Sequence, residues 1–284
     1  MRARALLLSS ATLLVAAALA ASCRGDGGRD VILATTTSTV DSGLLDALVP
    51  VFERQTGYHL KYVGVGSGAA LAMAERGDAD AVLSHAPDAE RELVDKGVVV
   101  NRRLVMHNDF VLVGPSDDPA GVRNAGSATA ALLAIARSGS TFISRGDNSG
   151  THQLELRLWE RAGFDPTSDA AYVESGQGMG QTLQLASARR AYTLTDRGTF
   201  LALRDTLDLQ PLLEGDPALL NVYHVMQVNP DRFPGVNAEG ARAWVEFLVS
   251  DEAQRIIGSF GVDRFGQALF TPDAGKSEAA LGLE

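Results

Sequence analysis

The chain has 284 residues and a formal net charge of −10, from 35 acidic side chains against 25 lysines and arginines. This acidic balance argues against a nucleic acid partner, because phosphate backbones are bound by basic faces. An anion site in such a chain must therefore be built from local donors rather than from the overall field of the protein. The single cysteine, Cys23, excludes a disulfide within the chain.

Residues 1–22 are typical of an export signal, with a basic start, an apolar stretch from 5 to 20 and small residues at the end. The apolar stretch is shorter than the roughly 20 residues that a membrane-spanning helix needs. The residues before Cys23 resemble a bacterial lipobox, although Ala20 stands where leucine is usual. This motif predicts lipidation of Cys23, and a conventional signal with an incidental cysteine is the alternative. The glycine-rich residues 23–29 are predicted to form a flexible tether.

Strand-like and helix-like segments alternate along the rest of the chain, which predicts an α/β fold with mainly parallel sheets. Apolar runs predict strands at 31–34, 59–65, 81–83, 110–114, 141–143, 171–174, 191–194 and 220–228. Apolar residues at helical spacing predict helices at 42–54, 69–76, 90–96, 153–162, 178–189 and 198–204, and one helix or helix pair at 238–260.

The alternating order occurs twice, which predicts two lobes. The extended runs near 110–115 and 220–228 are expected to cross between the lobes. Lobe one is then predicted to comprise residues 30–112 plus 222–284, and lobe two residues 113–221. Ligands of such folds lie at the carboxyl ends of the strands, so the site is expected in the cleft between the lobes.

The most informative segment is Ser144–His152, which lies between a predicted strand and a predicted helix. The free N–H groups of a first helical turn and the helix dipole favour an anion there. Ser149 and Thr151 add hydroxyl donors, and Arg145 adds a planar fork of N–H groups suited to tetrahedral oxyanions. Asp147 is expected to hold Arg145 in place. The alternative is a capped helix with a surface Arg–Asp pair.

Two further turns carry similar donors. Residues 35–39 (TTTST) are five consecutive hydroxyl residues before a helix, which is more than one N-cap requires. Residues 64–68 (GVGSG) follow the second strand and offer backbone N–H groups together with the Ser67 hydroxyl. These glycines also fit a dinucleotide fingerprint, with Glu90 further along, but the turn follows the second strand rather than the first. A nucleotide-dependent enzyme is therefore a distant alternative.

Other catalytic and metal chemistries find little support. Residues 146–150 lack the G-x-S-x-G spacing of a nucleophilic serine, so a serine hydrolase is also a distant alternative. Five histidines and one cysteine without a close cluster argue against a dedicated metal site. No cofactor and no catalytic residue are predicted.

Three segments closely resemble motifs of tungstate-binding proteins, the extracytoplasmic substrate-binding components of tungstate ABC importers. They are residues 32–39 (ILATTTST), 144–152 (SRGDNSGTH) and 192–199 (YTLTDRGT). The resemblance covers essentially the whole mature chain. It implies the type II periplasmic binding fold, in which two α/β lobes are joined by two crossing strands. It also implies a protein that binds tungstate or molybdate and hands it to a membrane permease.

The resemblance and the residue chemistry together give one set of candidate contacts. The supporting residue is Asp147, and the anion itself is expected to be bound without a metal ligand set. The candidate ligand-binding residues are Thr36, Thr37, Ser38, Ser67, His85, Arg145, Ser149, Gly150 and Thr151. The protein is expected outside the cytoplasm, either on the membrane through a lipid on Cys23 or free in the periplasm.

Phosphate-binding proteins of the same fold are the closest alternative, because their arginine motif also reads R-x-D-x-S-G-T. They place an aspartate in the turn after the third strand, where it accepts the proton of hydrogen phosphate. The corresponding turn here is 83–87 (LSHAP), with His85 at that position. A fully deprotonated tungstate or molybdate needs only donors, and a neutral histidine can donate one hydrogen bond. The alternative is that His85 only caps the following helix.

Overall fold

The computed structural model describes residues 29–147 and 149–283. The predicted export signal, the predicted tether up to residue 28 and Cys23 lie outside the described residues. The strands are β1 (Asp30–Thr36), β2 (His59–Val65), β3 (Ala81–Ser84), β4 (Val99–Gly114), β5 (Phe142–Ser144), β6 (Tyr172–Glu174), β7 (Thr193–Asp196), β8 (Gln210–Leu213), β9 (Leu220–Val228) and β10 (Thr271–Pro272). The helices are α1 (Thr37–Asp41), α2 (Leu44–Thr56), α3 (Ser67–Arg76), α4 (Pro87–Asp95), α5 (Ala128–Ser138), α6 (Gly150–Arg161), α7 (Met179–Arg189), α8 (Arg197–Leu203), α9 (Ala238–Leu248), α10 (Asp251–Ser259) and α11 (Val262–Phe265).

The first lobe is built on a mixed sheet with the strand order β10-β4-β9-β3-β1-β2. β1 pairs in parallel with β2 and β3, as the sequence predicts, and β9 runs antiparallel between β3 and β4. The inward side chains of β1 pack against α2 and α9, where Leu33, Phe52 and Trp244 are fully buried. Phe52 meets the Trp244 ring edge to face at 5.0 Å. This core fixes the position of the carboxyl end of β1.

The second lobe has a smaller core around the far end of β4. That end pairs antiparallel with β7 and β8, while β5 pairs in parallel with β6. A parallel bridge between Phe142 and Tyr192 links these two groups of strands. Phe142, Trp159 and Tyr192 are buried in one apolar cluster beneath α5 and α6. The cluster holds the start of α6, where the arginine motif lies, against β5.

β4 and β9 cross between the two lobes. β4 pairs with β9 from Val99 to Asp109 and then continues into the second lobe as far as Gly114. The sequence predicts only its last five residues, because polar residues interrupt the apolar pattern before Phe110. The predicted lobe limits stay a prediction, but both extended runs proposed as crossings belong to these two strands.

The structure adds helices that were not predicted from the sequence, and it decides between the two alternatives predicted for residues 238–260. α1 adds a five-residue helix inside the hydroxyl turn, and α5 forms from an alanine-rich stretch in which no helix was predicted. The long run 238–260 is a pair of helices, because Ser250 caps a new helix by accepting a hydrogen bond from Ala253 N at 3.3 Å. Within the described residues, each helix is too short or too polar to cross a membrane.

Candidate functional site

A cleft of about 570 Å³ lies between the lobes, at the crossing strands. Its walls come from both lobes, and the starts of α1, α6, α7 and α8 all reach it. The lining residues of the first lobe fall within 37–42, 85 and 264–270, those of the second within 145–151, 178–180 and 196–203, and those of the crossing strands are 108, 110 and 221. The cleft thus lies where the sequence predicts the site, between the two lobes and at the carboxyl end of β1.

Arg145 lines this cleft directly after β5. Its side chain is only 15% exposed, and its Nε and Nη2 both donate to Oδ2 of Asp147, the first at 3.1 Å. The second carboxylate oxygen, Oδ1, accepts from Ser149 N at 3.1 Å. Desolvation opposes ionisation, but the bonds from Ser149 and Arg145 hold the pKa of Asp147 below its ordinary value. An ionised Asp147 thus ties the guanidinium to the helix start.

The start of α6 completes this side of the cleft. Ser149 is the N-cap, and its hydroxyl accepts from His152 N at 3.3 Å. Gly150 is exposed, and a Cβ there would lie 3.0 Å from Cε1 of His85, which comes from the other lobe. Thr151 follows in the first turn and also lines the cleft. A glycine at this position lets the two lobes approach closely.

The hydroxyl turn divides into a structural part and a cleft part. Thr35 and Thr39 are fully buried and bond to each other at 2.8 Å, so they stabilise the turn itself. Thr37 and Ser38 line the cleft. Thr36, also predicted as a contact, does not line it, because β1 continues through Thr36 and buries its side chain to 2% exposure. Its Oγ1 lies 3.0 Å from Ser38 Oγ, behind the cleft wall.

The glycine turn differs more from the prediction. β2 continues through Val65 and α3 begins at Ser67, which is not among the lining residues. The Ser67 hydroxyl instead accepts from His85 N at 3.5 Å. A Cβ on Gly64 would lie 2.8 Å from Val40, so packing alone accounts for that glycine. Contact between Ser67 and a ligand stays a prediction, whereas His85 does line the cleft.

His85 is uncharged at neutral pH. Its ring lies 5.1 Å from that of Tyr223, and desolvation lowers its pKa to about 4, although the carboxylate of Glu90 partly opposes this. A neutral imidazole has one donor and one acceptor nitrogen. His85 can therefore donate to an oxyanion without adding positive charge to the site.

The lowered pKa of His85 predicts a defined pH dependence of stability. Because the unfolded state binds the proton more readily, the contribution is complete above pH 6.5 and is lost as the pH falls toward 4. We expect His85→Gln to remove on the order of 1–3 kcal/mol of this acid destabilisation. Urea unfolding at pH 4.5 and 7.5 measures it. His59→Gln, at a side chain that is 53% exposed, is the control. If His85→Gln loses as much unfolding free energy between pH 7.5 and pH 4.5 as the wild-type protein, the assignment is contradicted.

Several lining residues were missed from the sequence. Gly178 and Gly180 flank the start of α7, and the repeated glycines of residues 176–180 could have indicated this turn. Asp41 and Asp196 also line the cleft, so the lining is not made of donors alone. Asp196 caps the start of α8, where its Oδ1 accepts from Thr199 N at 2.8 Å and its Oδ2 accepts from the Thr199 hydroxyl at 2.7 Å. Asp41 is exposed.

Two further arginines lie in or near the cleft. Arg197 forms ion pairs with Asp109, where Nε donates at 2.7 Å, and with Glu214 at 2.8 Å, so it stabilises the α8 start against β4. Arg264 lines the cleft and stacks over the Phe265 ring at 5.0 Å. Among the described residues, no group of three or more His, Cys, Asp or Glu side chains is placed to hold a metal ion.

Comparison with known proteins identifies relatives over most of the chain. Residues 22–252 match the PBP superfamily domain. The chain is 47% identical to the tungstate-binding protein TupA of Peptoclostridium acidaminophilum, over 87% of this chain and 86% of that protein. The solved structure of the tungstate-binding protein TupA from Desulfovibrio alaskensis G20 matches with a TM-score of 0.81 and 44% identity, over 86% of this chain and 99% of that one.

A second solved structure gives the same result. The tungstate ABC transporter structure from Geobacter sulfurreducens matches with a TM-score of 0.70 and 47% identity, over 81% of this chain and 98% of that one. These matches confirm the predicted fold class, the two-lobed type II periplasmic binding fold. The chain belongs to the PBP superfamily and, within it, to the family of TupA-type tungstate-binding proteins.

Proposed function

We propose that this protein is the extracytoplasmic substrate-binding component of an ABC importer and binds tungstate, with molybdate as a second ligand, in the cleft between its lobes. The observation that carries the proposal is Arg145, a cation in the cleft beside the N-terminus of α6. The tungstate-binding relatives support the ligand, and the Geobacter sulfurreducens relative, named as a tungstate ABC transporter, supports delivery to a permease. On this proposal the protein binds and releases its ligand without catalysis.

The proposed shell combines donors from both lobes. The hydroxyls of Thr37 and Ser38 and the ring of neutral His85 would face Arg145 and the α6 start, residues 149–151. Donors in a site from which water is excluded interact more strongly with a divalent anion. Rotation of residues 30–112 plus 222–284 against 113–221, about β4 and β9, would exclude that water. We assign Thr36 and Ser67 to holding Ser38 and His85, which they contact.

Tungstate fits this lining better than hydrogen phosphate. Hydrogen phosphate carries a proton that needs an acceptor, whereas tungstate and molybdate need only donors. His85 stands where phosphate-binding proteins have an aspartate, which favours a fully deprotonated oxyanion.

Calorimetric titration of the mature protein with tungstate, molybdate, sulfate and phosphate tests the proposal. We expect stoichiometric tungstate binding and a rise in the midpoint of thermal unfolding, because a ligand specific for the folded state stabilises it. Phosphate bound more tightly than tungstate and molybdate would instead establish a phosphate-binding protein. Turnover of an ester or nucleotide, lost in Ser149→Ala, would establish an enzyme.

We further propose that Cys23 is lipidated and holds the protein on the outer face of the bacterial cell membrane. Support comes from the residues before Cys23 and the basic, then apolar, leader. In the native bacterium the protein should fractionate with membranes, and Cys23→Ala should move it to the soluble extracytoplasmic fraction. A wild-type protein that is already soluble there would indicate an ordinary cleaved signal.

A further inference from the structure

A chain of hydrogen bonds connects the crossing strands to the hydroxyl turn. Asn108 of β4 lies opposite Asn221 of β9. The Nδ2 group of Asn221 donates to Oδ1 of Asn108 at 2.8 Å and to the hydroxyl of Tyr223 at 2.9 Å. The Tyr223 hydroxyl lies 2.9 Å from Oγ of Ser38, which lines the cleft. This series of hydrogen bonds therefore ends at Ser38, a candidate ligand contact.

The amide of Asn221 sets the direction of the first of these hydrogen bonds. An amide NH₂ group can only donate, so the Tyr223 oxygen accepts from Asn221. Tyr223 is fully buried, and its own hydrogen needs an acceptor away from water. Ser38 Oγ, at 2.9 Å, is placed to accept it, and Thr36 is the second hydroxyl side chain beside the phenol. When Ser38 accepts from Tyr223, it keeps its own hydrogen for Thr36 Oγ1, at 3.0 Å, or for a ligand in the cleft.

The phenol is suited to this role. Desolvation raises the pKa of Tyr223 above its ordinary value, so the hydroxyl remains protonated. Its ring is held between the rings of His85 at 5.1 Å and Phe270 at 6.0 Å, which fixes the position of the hydroxyl oxygen. Tyr223 does not line the cleft itself and can act on a ligand only through its neighbours.

We propose that Asn221 and Tyr223 are positioning residues that hold the Ser38 hydroxyl as a donor toward an oxyanion in the cleft. The inference rests on the proposed function. A tungstate, molybdate or sulfate oxygen accepts the Ser38 hydrogen.

Tyr223→Phe tests the inference, because it keeps the ring and removes only the hydroxyl. We expect tungstate affinity to fall about three- to tenfold, the scale of one neutral hydrogen bond. Sulfate should weaken in parallel, because its oxygens accept the same hydrogen. Tyr192→Phe removes an equally buried phenol hydroxyl, bonded to Ala120 N and Asp118, and should leave both affinities unchanged.

A double-mutant cycle shows whether the effect passes through Ser38. In a Ser38→Ala background, Tyr223→Phe should have no further effect on tungstate affinity. Unchanged or tighter tungstate binding by Tyr223→Phe, or an equal loss in the Ser38→Ala background, would overturn the inference. These results leave the proposed function intact, whereas failure of the wild-type protein to bind tungstate would overturn that function first.

Discussion

Replacing Arg145 by alanine is expected to weaken tungstate binding by roughly 30-fold to several thousand-fold. The guanidinium is 15% exposed and is held by Asp147 at the start of α6, so its charge acts in a largely desolvated setting. Truncating one partner of a buried, charge-assisted contact typically costs on the order of 2–5 kcal/mol, and each 1.4 kcal/mol is about tenfold. Calorimetric titration of the folded variant with tungstate measures the loss.

Two further variants separate charge from geometry. Arg145→Lys should recover only part of the affinity, because an ammonium keeps the charge but loses the planar fork. Arg190→Ala removes the same charge from an exposed pair with Asp117 and should leave binding unchanged. If Arg145→Ala binds tungstate as tightly as the wild-type protein, Arg145 is only a partner of Asp147 and the proposed ligand position is wrong.

The second large effect is expected at Glu90, a fully buried carboxylate behind the His85 turn. It accepts from Ser84 Oγ at 2.7 Å and from Ala86 N at 3.0 Å, on either side of His85. Its other oxygen meets Arg102 at 3.0 Å and His224 Nδ1 at 2.9 Å. Desolvation opposes ionisation, but the contacts with His224, Ser84 and Ala86 N hold the pKa of Glu90 below its ordinary value.

Glu90→Gln should therefore lower the free energy of unfolding by about 3 kcal/mol at pH 7, because it leaves a buried ion pair without one partner. Glu278, at 2.6 Å from Arg102, compensates part of the charge and keeps the loss at the lower end of the usual range. Since the pKa of Glu90 is lowered on folding, the difference should shrink as the pH falls below 4.5.

Urea unfolding measures this difference against a control on the same helix. Glu92 is 70% exposed and pairs with Lys96 at 3.6 Å, so Glu92→Gln should cost less than about 0.5 kcal/mol. Equal stability losses in the two variants would mean that the buried network contributes no more than a surface pair. Tungstate affinity of folded Glu90→Gln also reports whether the network positions His85.

Local sequence signals predicted the arginine motif and most of the strands and helices, but not β8, β10, α1, α5 or α11. The motif combines a strand end, an N-cap and a guanidinium within nine residues, so all its parts are set by neighbours in the chain. α5 was missed because its alanines form no contrast between an apolar and a polar face. The first half of β4 was missed because Arg102 is polar in sequence yet is held by Glu90 and Glu278 from other segments.

The placement of the hydroxyl side chains and the omission of Tyr223 depend on tertiary contacts. Thr36 and Ser67 could not be distinguished from Thr37 and Ser38 by residue type, because the exact end of each strand decides which hydroxyl reaches the cleft. Tyr223 lies in the long apolar run of β9 and is indistinguishable there from a core residue. Only the pairing of β9 in the sheet brings its hydroxyl to Ser38, 185 positions away in the chain.

A crystal structure of the protein grown with tungstate tests the central claim most directly, because tungsten is located by its anomalous scattering. The account predicts one strong peak in the cleft, within hydrogen-bonding reach of both Arg145 and Ser38 through the tungstate oxygens. A cleft without a peak, or a peak on the outer surface of either lobe, would contradict it.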